Sequence, residues 1–366
     1  MKFATKCGII IGMEQKSSTK LIILFLVIAI AFTAALGFLT RFLPKPDNAP
    51  EENKMVATTE NLRKNVFEIE SDGRVGTGFI VSVCDDYAIG VSCYHVTKGD
   101  SVLLSVKTCG SDSFTSAAEI IGFDKDYDLS VIKLTGKFDC VDLIREGKLD
   151  RDLQPGESVT LLGNAGGDGI TAFDGIVGAK PTVIKCEDVS NTNLHLRYLP
   201  VVHTTAAVNA GSSGAPVFNE DGELLGVGFY QIFGSLDRPV YDQSYVIPAK
   251  IVKAAVLLAV NNGGSAKRLS VTLNKTHEQV GSEVIESVFA TVDGIGALEV
   301  AENGIIVEGG EHEGKIIDKI GGNKVNGLTD LLAALYGYSA DGRFERLAFT
   351  FTDGTTVEFE ARKTIG

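Results

Sequence analysis

Three residue types that could perform nucleophilic catalysis lie far apart in the chain, in the order His95, Asp128 and Ser213. A serine hydroxyl is a weak nucleophile, so it needs a neighbouring imidazole as base and a buried carboxylate that orients the imidazole. Ser213 lies among small residues at 209–216, where glycines allow backbone N–H groups to turn toward a developing oxyanion. The order and surroundings of the three residues therefore predict a Ser-His-Asp acyl-transfer site.

Each of these residues alone also has an ordinary structural explanation. Serine beside glycine is typical of turns. A histidine at a strand end is often structural, and an aspartate before an apolar run often lies at a solvated strand end. Cys93, two residues before His95, is an alternative nucleophile, but its alternate neighbours in the predicted strand indicate a position in the core. The agreement of order, spacing and local context favours the triad.

Short apolar runs separated by turns fill residues 65–258 and predict an all-β barrel or sandwich. The runs 75–81 and 87–92 form a predicted hairpin, which places His95 just beyond the end of a strand. Asp128 precedes another apolar run. Further strands are expected at 101–106, 117–121, 130–134, 158–162 and 175–179, and a second hairpin at 217–227 turns at Asp221-Gly222.

The same region resembles the trypsin-like protease domain of the HtrA family (DegP/DegS type). The resemblance is carried by Gly76-Thr77-Gly78-Phe79-Ile80, by the segment around His95, and by residues 126–133, 153–159, 162–165 and 204–209. It implies a mostly β fold with a trypsin-like double β-barrel. It also implies that His95 is the base, Asp128 its orienting acid and Ser213 the nucleophile, with the N–H groups of Gly211 and Ser213 as the oxyanion hole.

The chain departs from the family pattern around the nucleophile. Ser212 stands where the family usually has asparagine, and Ala215 stands where it usually has a second glycine. These departures keep a second function open, in which a degenerate protease body serves as a non-catalytic scaffold or peptide-binding protein. A holdase that shields exposed apolar segments is a third alternative.

Four uncharged residues occupy positions that border the primary specificity pocket in trypsin-like folds: Ala207, Gly226, Val227 and Gly228. A basic substrate residue in such a pocket would bury an unpaired charge, which is costly. The resemblance therefore implies cleavage after small or medium apolar residues.

Residues 21–39 form an apolar run without a charge, which is long enough to cross a bilayer as a helix. Because lysines precede this run, we expect residues 1–20 in the cytoplasm and the rest outside, as a single-pass protein of the cell membrane. A cleaved signal peptide is the alternative. Residues 40–60, rich in proline and acidic residues, are expected to be an extended linker to a protease domain at 61–262.

Composition excludes other classes of function. The formal net charge of −13 argues against nucleic acid as a partner. No CxxC motif or Cys/His cluster suggests a metal site, and no phosphate-binding glycine loop suggests a cofactor. Five of the six cysteines follow the apolar run, so they cannot all pair within one chain. Free thiols are expected, with a single disulfide as the alternative.

Residues 265–366 are expected to form a second, smaller α+β domain. A strand region at 314–325, a helix at 327–335 and a hairpin at 347–359 resemble the C-terminal half of an HtrA-type PDZ domain. The resemblance implies that peptide C-termini bind by strand addition, with Gly294, Ile295, Gly296 and Ala297 as the carboxylate loop. A spacer without a ligand is the alternative. For the whole protein it implies unfolded or peptide substrates and a homotrimer.

Overall fold

The computed structural model describes residues 54–361 apart from 72, 98–102, 110–114, 188–195, 234–238, 262–270, 281–282, 293–294, 302–303 and 337–344. It also describes Leu24 and Ile28, which are helical and exposed. The remainder of the predicted anchor at 21–39 lies outside the described residues. Within the part of the chain that is described, no helix is long and apolar enough to cross a bilayer.

Residues 54–366 form one compact unit of four described helices and 21 described strands. The helices are α1 Lys54–Leu62, α2 Tyr94–Thr97, α3 Ala249–Asn261 and α4 Leu328–Tyr336. The strands are β1 Val66–Ser71, β2 Arg74–Val83, β3 Tyr87–Cys93, β4 Leu103–Thr108, β5 Thr115–Asp124, β6 Leu129–Thr135, β7 Ser158–Gly163, β8 Thr171–Ile176, β9 Thr182–Glu187, β10 Leu196–Thr204, β11 Pro216–Phe218, β12 Leu224–Phe233, β13 Pro239–Pro248, β14 Val271–Val280, β15 Glu283–Val292, β16 Gly296–Ala301, β17 Gly304–Glu308, β18 Ile316–Ile320, β19 Asn323–Lys324, β20 Glu345–Phe351 and β21 Thr356–Ala361.

Strands β1 to β6 close into a barrel in the order β1-β2-β3-β6-β5-β4. Phe67 of β1 is one of the large side chains in its core and is 1% exposed. A Cβ atom on Gly78 or Gly90 would lie 2.4 Å or 2.9 Å from the Phe67 ring, so these two strands need glycine opposite it. Tight packing of one large ring against two glycines thus stabilises the barrel whose strand ends carry His95 and Asp128.

The second half of the protease body is a seven-stranded sheet in the order β8-β7-β11-β12-β13-β10-β9. Its curvature brings the end of β8 onto β10, where Val177 and Thr204 form a bridge and Thr205 N donates to the Ile176 carbonyl at 3.0 Å. The strand predicted at 175–179 is displaced in the structure, because β8 runs from Thr171 to Ile176 and only its last two residues fall within the predicted range. The expected hairpin at Asp221-Gly222 is confirmed as the β11–β12 connection.

The expected extended linker at 40–60 is wrong from Lys54 onward, because residues 54–62 form helix α1. This helix is attached to the β11–β12 turn. Thr58 Oγ1 donates to the Glu220 carbonyl at 2.7 Å, and Lys54 pairs with Asp221. The hydrogen-bond and ion-pair partners of α1 lie in this turn, far away in the sequence, so the composition of residues 40–60 did not predict the helix.

The C-terminal residues form a sheet in the order β14-β15-β16-β17-β18-β20-β21, with β19 paired to β18. The expected helix and final hairpin are present as α4 and β20–β21. The carboxylate loop predicted at 294–297 leads into β16, and the structure contradicts the predicted addition of a peptide strand beside β16. Ile295 lies in a turn, Gly296 and Ala297 begin β16, and Gly294 lies outside the described residues. Strand β16 pairs with both β15 and β17, so it offers no open edge to a peptide.

This sheet shares a hydrophobic core with the protease body through α3 and α4. Lys250 of α3 bridges Asp152 of the protease body at 2.9 Å and Asp330 of α4 at 2.6 Å. Burial lowers the pKa of Lys250, but its hydrogen bonds to Asp330 and Asp152 outweigh that effect and leave the pKa raised. The two predicted domains are therefore in direct polar and apolar contact.

Candidate active site

His95 and Asp128 meet at neighbouring strand ends. His95 lies in α2, directly after β3, and Asp128 directly precedes β6, which pairs with β3 through Cys93 and Leu129. His95 Nδ1 and Asp128 Oδ2 are 2.6 Å apart, and Asp128 Oδ1 accepts the His95 backbone N–H at 2.9 Å. Because the carboxylate engages Nδ1, Nε2 remains as the nitrogen that can take a proton from a nucleophile.

The backbone of Asp128 has φ of 53°, and no other non-glycine residue among those described has a positive φ. This left-handed conformation is more accessible to aspartate than to most residues, but it still costs about 1–3 kcal/mol. The carbonyl of Asp128 accepts the Tyr94 N–H at 3.0 Å, and the side chain is 7% exposed. Surrounding contacts thus hold the acid in a strained geometry that directs its carboxylate at His95.

The loop around Ser213 depends on two glycines. Gly211 and Gly214 have φ of 91° and 90°. A Cβ atom on Gly211 would lie 2.2 Å from the Asn164 carbonyl oxygen, and one on Gly214 would lie 1.9 Å from the Thr77 carbonyl oxygen. No other residue type could occupy either position without a shift of the backbone.

The N–H groups in this loop alternate between bonded and open. Ser212, Gly214 and Ala215 each donate to a backbone carbonyl at 2.8–2.9 Å. The N–H groups of Gly211 and Ser213 donate to no acceptor among the residues that the structure describes. Open N–H donors on both sides of Ser212 are the kind of group that an oxyanion hole uses.

Thr77 joins the first barrel to the loop around Ser213, a role that the sequence patterns did not predict. Its N–H donates to the Ser213 carbonyl at 2.9 Å, and its Oγ1 donates to the Gly211 carbonyl at 2.8 Å. The same Oγ1 accepts the Asn164 N–H at 2.9 Å. The available signal was the Gly-Thr-Gly motif itself, in which a threonine stands between two glycines that permit close approach of other chain segments.

The two departures from the family pattern pack together. Ser212 and Ala215 are fully buried, and a Cβ atom on Gly163 would lie 2.8 Å from Ser212 Oγ and 3.1 Å from Ala215 Cβ. Gly163 therefore provides the space that the two extra side chains occupy. Ser212 Oγ has no hydrogen-bond partner within the described part of the chain, which is consistent with its role as a space-filling residue.

Cys93 lies beneath the His95–Asp128 pair. It is fully buried, and its Sγ is 3.5 Å from the Gly228 carbonyl oxygen. Burial and, second, the negative charge of Asp128 raise the pKa of the Cys93 thiol well above its usual range. A protonated buried thiol is a poor nucleophile, which favours Ser213. Cys93, His95 and Asp128 offer ligand atoms within 4.8 Å of one another, but a metal ion there would have to break the hydrogen bond between His95 and Asp128.

The residues predicted to border the primary specificity pocket lie beside the loop around Ser213. Ala207 is half-buried, while Gly226, Val227 and Gly228 are buried in β12. Gly228 exchanges hydrogen bonds with the loop, since its carbonyl accepts the Gly214 N–H and its N–H donates to the Ala215 carbonyl, both at 2.8 Å. The side chain of Val227 belongs to the core, on the opposite face of the strand. The Gly228 face is lined by Val208 and Leu161.

Comparisons with known proteins agree with this geometry. A family model of the trypsin-like peptidase domain matches residues 76–227, which contain His95, Asp128 and Ser213. A DegP-like periplasmic serine endoprotease of Hahella chejuensis is 29% identical over 82% of this chain and 58% of the relative. A DegP-like relative from Rickettsia prowazekii is 29% identical over 74% of this chain and 50% of the relative. The chain thus spans about half the length of the curated relatives that it matches.

Among solved structures, the HtrA-type protease AlgW with a decapeptide superposes with a TM-score of 0.50 and 16% identity, covering 85% of this chain and 98% of that chain. At this identity the match shows a shared fold. The barrel, the curved sheet and the matched domain define a trypsin-like peptidase domain. Within that class the chain is similar to DegP-like serine endoproteases.

Proposed function

We propose that the protein is an extracytoplasmic serine endopeptidase that cleaves unfolded, damaged or regulatory proteins by a Ser-His-Asp mechanism. One observation carries the proposal. The 2.6 Å contact between His95 Nδ1 and Asp128 Oδ2 lies just beyond the end of β3, and the serine loop, which has two open N–H donors, packs against the same end of β3, since a Cβ atom on Gly214 would lie 2.4 Å from Ser92 Oγ. The names of the DegP-like relatives are consistent with the same activity.

In this mechanism Ser213 Oγ attacks the peptide carbonyl while His95 Nε2 takes its proton. Asp128 stabilises the imidazolium, and the N–H groups of Gly211 and Ser213 bind the oxyanion. His95 then donates the proton to the leaving amine as the C–N bond breaks. Water, activated by His95, hydrolyses the acyl-enzyme and restores Ser213.

The scaffold alternative rested on Ser212 and Ala215, and the packing weakens it. Gly163 accommodates both side chains, and the loop keeps its two positive-φ glycines. A test is labelling with a serine-directed phosphonate followed by mapping of the modified peptide. Label is expected on Ser213 of the wild type and of Ser212→Ala, and on neither serine of Ser213→Ala. Absence of label in all three proteins would contradict the proposed function.

We further propose that residues 21–39 anchor the protein in the cell membrane with the protease body outside. The uncharged run and its lysine-rich leading flank support this orientation. A reporter that is active only outside the cytoplasm should be active when fused after Lys54 and inactive when fused after Lys16. The full-length protein should also stay in membranes after a carbonate wash. A soluble product that begins near residue 32 would instead identify a cleaved signal peptide.

The primary pocket is expected to select small or medium apolar residues before the cut. The resemblance puts Ala207 and Gly228 at its border, and the side chains nearest to Gly228, Val208 and Leu161, are apolar, so none of these described residues offers a charge to pair with a basic residue. Burial of such a residue without a partner is costly. Profiling of cleavage sites in a peptide library should give Val, Ala or Leu before the scissile bond. Dominant cleavage after Lys or Arg would contradict the pocket assignment.

A further inference from the structure

Asp124, the last residue of β5, organises the turn that leads to Asp128. It is 7% exposed, and its Oδ1 accepts the N–H groups of Asp126 at 2.8 Å and Tyr127 at 3.0 Å. The turn then enters Asp128 with its left-handed φ of 53°. Since this backbone conformation is unfavourable, the geometry of the acid depends on how firmly Asp124 is held.

The other oxygen of Asp124 is bound by a residue of helix α4. The hydroxyl of Tyr336, the last residue of α4, donates to Asp124 Oδ2 at 2.6 Å, across 212 positions of sequence. Tyr336 is 2% exposed, and its ring centroid lies 5.8 Å from that of Tyr127. One residue of the C-terminal segment therefore contacts both the side chain that organises the turn and the residue that directly precedes Asp128.

We propose that Tyr336 is a positioning residue for the peptidase reaction, acting through Asp124 on the hydrogen bond between Asp128 and His95. This deepens the proposed function, on which the kinetic part of its test rests. A hydrogen bond between a buried hydroxyl and a carboxylate is among the stronger kinds. Without it the turn is free to relax away from the strained conformation of Asp128.

Because of this contact, the geometry of Asp128 depends on the packing of α4 against the protease body. The docked helix is also fixed at its other end, where Thr329 Oγ1 donates to Asp152 Oδ2 at 2.8 Å and Lys250 bridges Asp152 and Asp330. These contacts lie at the same interface but do not touch the turn at 124–128. Variants of these contacts therefore distinguish a general loss of α4 packing from a specific effect on the turn at 124–128.

The test is the Tyr336→Phe variant of the full chain, which keeps the ring against Tyr127 and removes only the hydroxyl. We expect kcat to fall roughly 10- to 100-fold, the range set by a hydrogen bond to a charged group. KM should change little, because no residue of the pocket is altered. The strongly deshielded proton resonance of the short His95–Asp128 hydrogen bond should broaden or move upfield.

Thr329→Val is the matched control, since it also removes one hydroxyl that α4 donates to an aspartate. It should keep the wild-type kcat and the wild-type proton resonance. Asp124→Asn is the second variant, because asparagine still accepts the turn N–H groups but turns a neutral amide nitrogen toward Tyr336, so the charge-assisted hydrogen bond from the hydroxyl is lost. It should lower kcat and move the proton resonance in the same direction as Tyr336→Phe. It also provides the test if the Tyr336→Phe protein folds poorly.

Two results would overturn the inference: an unchanged kcat and resonance in Tyr336→Phe and Asp124→Asn, or an equal loss in Thr329→Val. If the wild type neither cleaves nor labels, the proposed function fails. The resonance comparison between Tyr336→Phe and Thr329→Val then still tests the positioning role, because it requires no activity.

Discussion

The Ser213→Ala variant should lose proteolysis of an unfolded substrate such as casein almost completely. Ser213 lies in the loop that carries the two open N–H groups, those of Gly211 and of Ser213 itself, whereas the neighbouring Ser212 is fully buried. Loss of the nucleophile of a catalytic triad costs about a million-fold in kcat, and the residual rate comes from substrate binding and the oxyanion hole. The measurement is the initial rate of peptide release, calibrated against the rate without protein.

Ser212→Ala is the matched control for this prediction. Ser212 is adjacent in sequence and equally a serine, but its hydroxyl is buried against Gly163 and has no partner among the described residues. Its removal should change kcat by no more than a few-fold. A fully active Ser213→Ala protein, or a loss confined to Ser212→Ala, would show that the nucleophile is misassigned.

Asp128→Asn should reduce kcat by about 10,000-fold, the size of the effect when the acid of a comparable triad becomes an amide. An amide in place of the carboxylate removes the charge that stabilises the imidazolium. It also turns an N–H donor toward Nδ1, which favours the wrong tautomer of His95. The backbone conformation should survive, because asparagine also tolerates a positive φ. Steady-state kinetics on a peptide cleaved by the wild type gives the measurement.

Asp85→Asn provides the control for the loss of a carboxylate. Asp85 is exposed in the turn between β2 and β3, at the opposite end of β3 from His95. It should keep wild-type kinetics and the same melting temperature. If Asp128→Asn also kept the wild-type rate, the Asp128 carboxylate would not serve the reaction.

The sequence alone predicted the features that depend on local patterns. Alternating apolar residues predicted most strands of the protease body, and Asp221-Gly222 predicted the hairpin turn, because both depend on neighbours within a few positions. The chain order of His95, Asp128 and Ser213 and the local sequence around each residue predicted the pairing of His95 with Asp128, which the structure shows. The C-terminal helix and hairpin were predicted on the same grounds.

Contacts between distant segments were decided only by the tertiary structure. Gly163 accommodates Ser212 and Ala215 about fifty positions away. The composition of the linker likewise did not predict that α1 binds the β11–β12 turn. Pairing of β16 on both sides excludes strand addition there, and the hydroxyl of Tyr336 reaches Asp124. Each depends on which surfaces the chain brings together, and that information lies in the packing of the whole unit rather than in any local pattern.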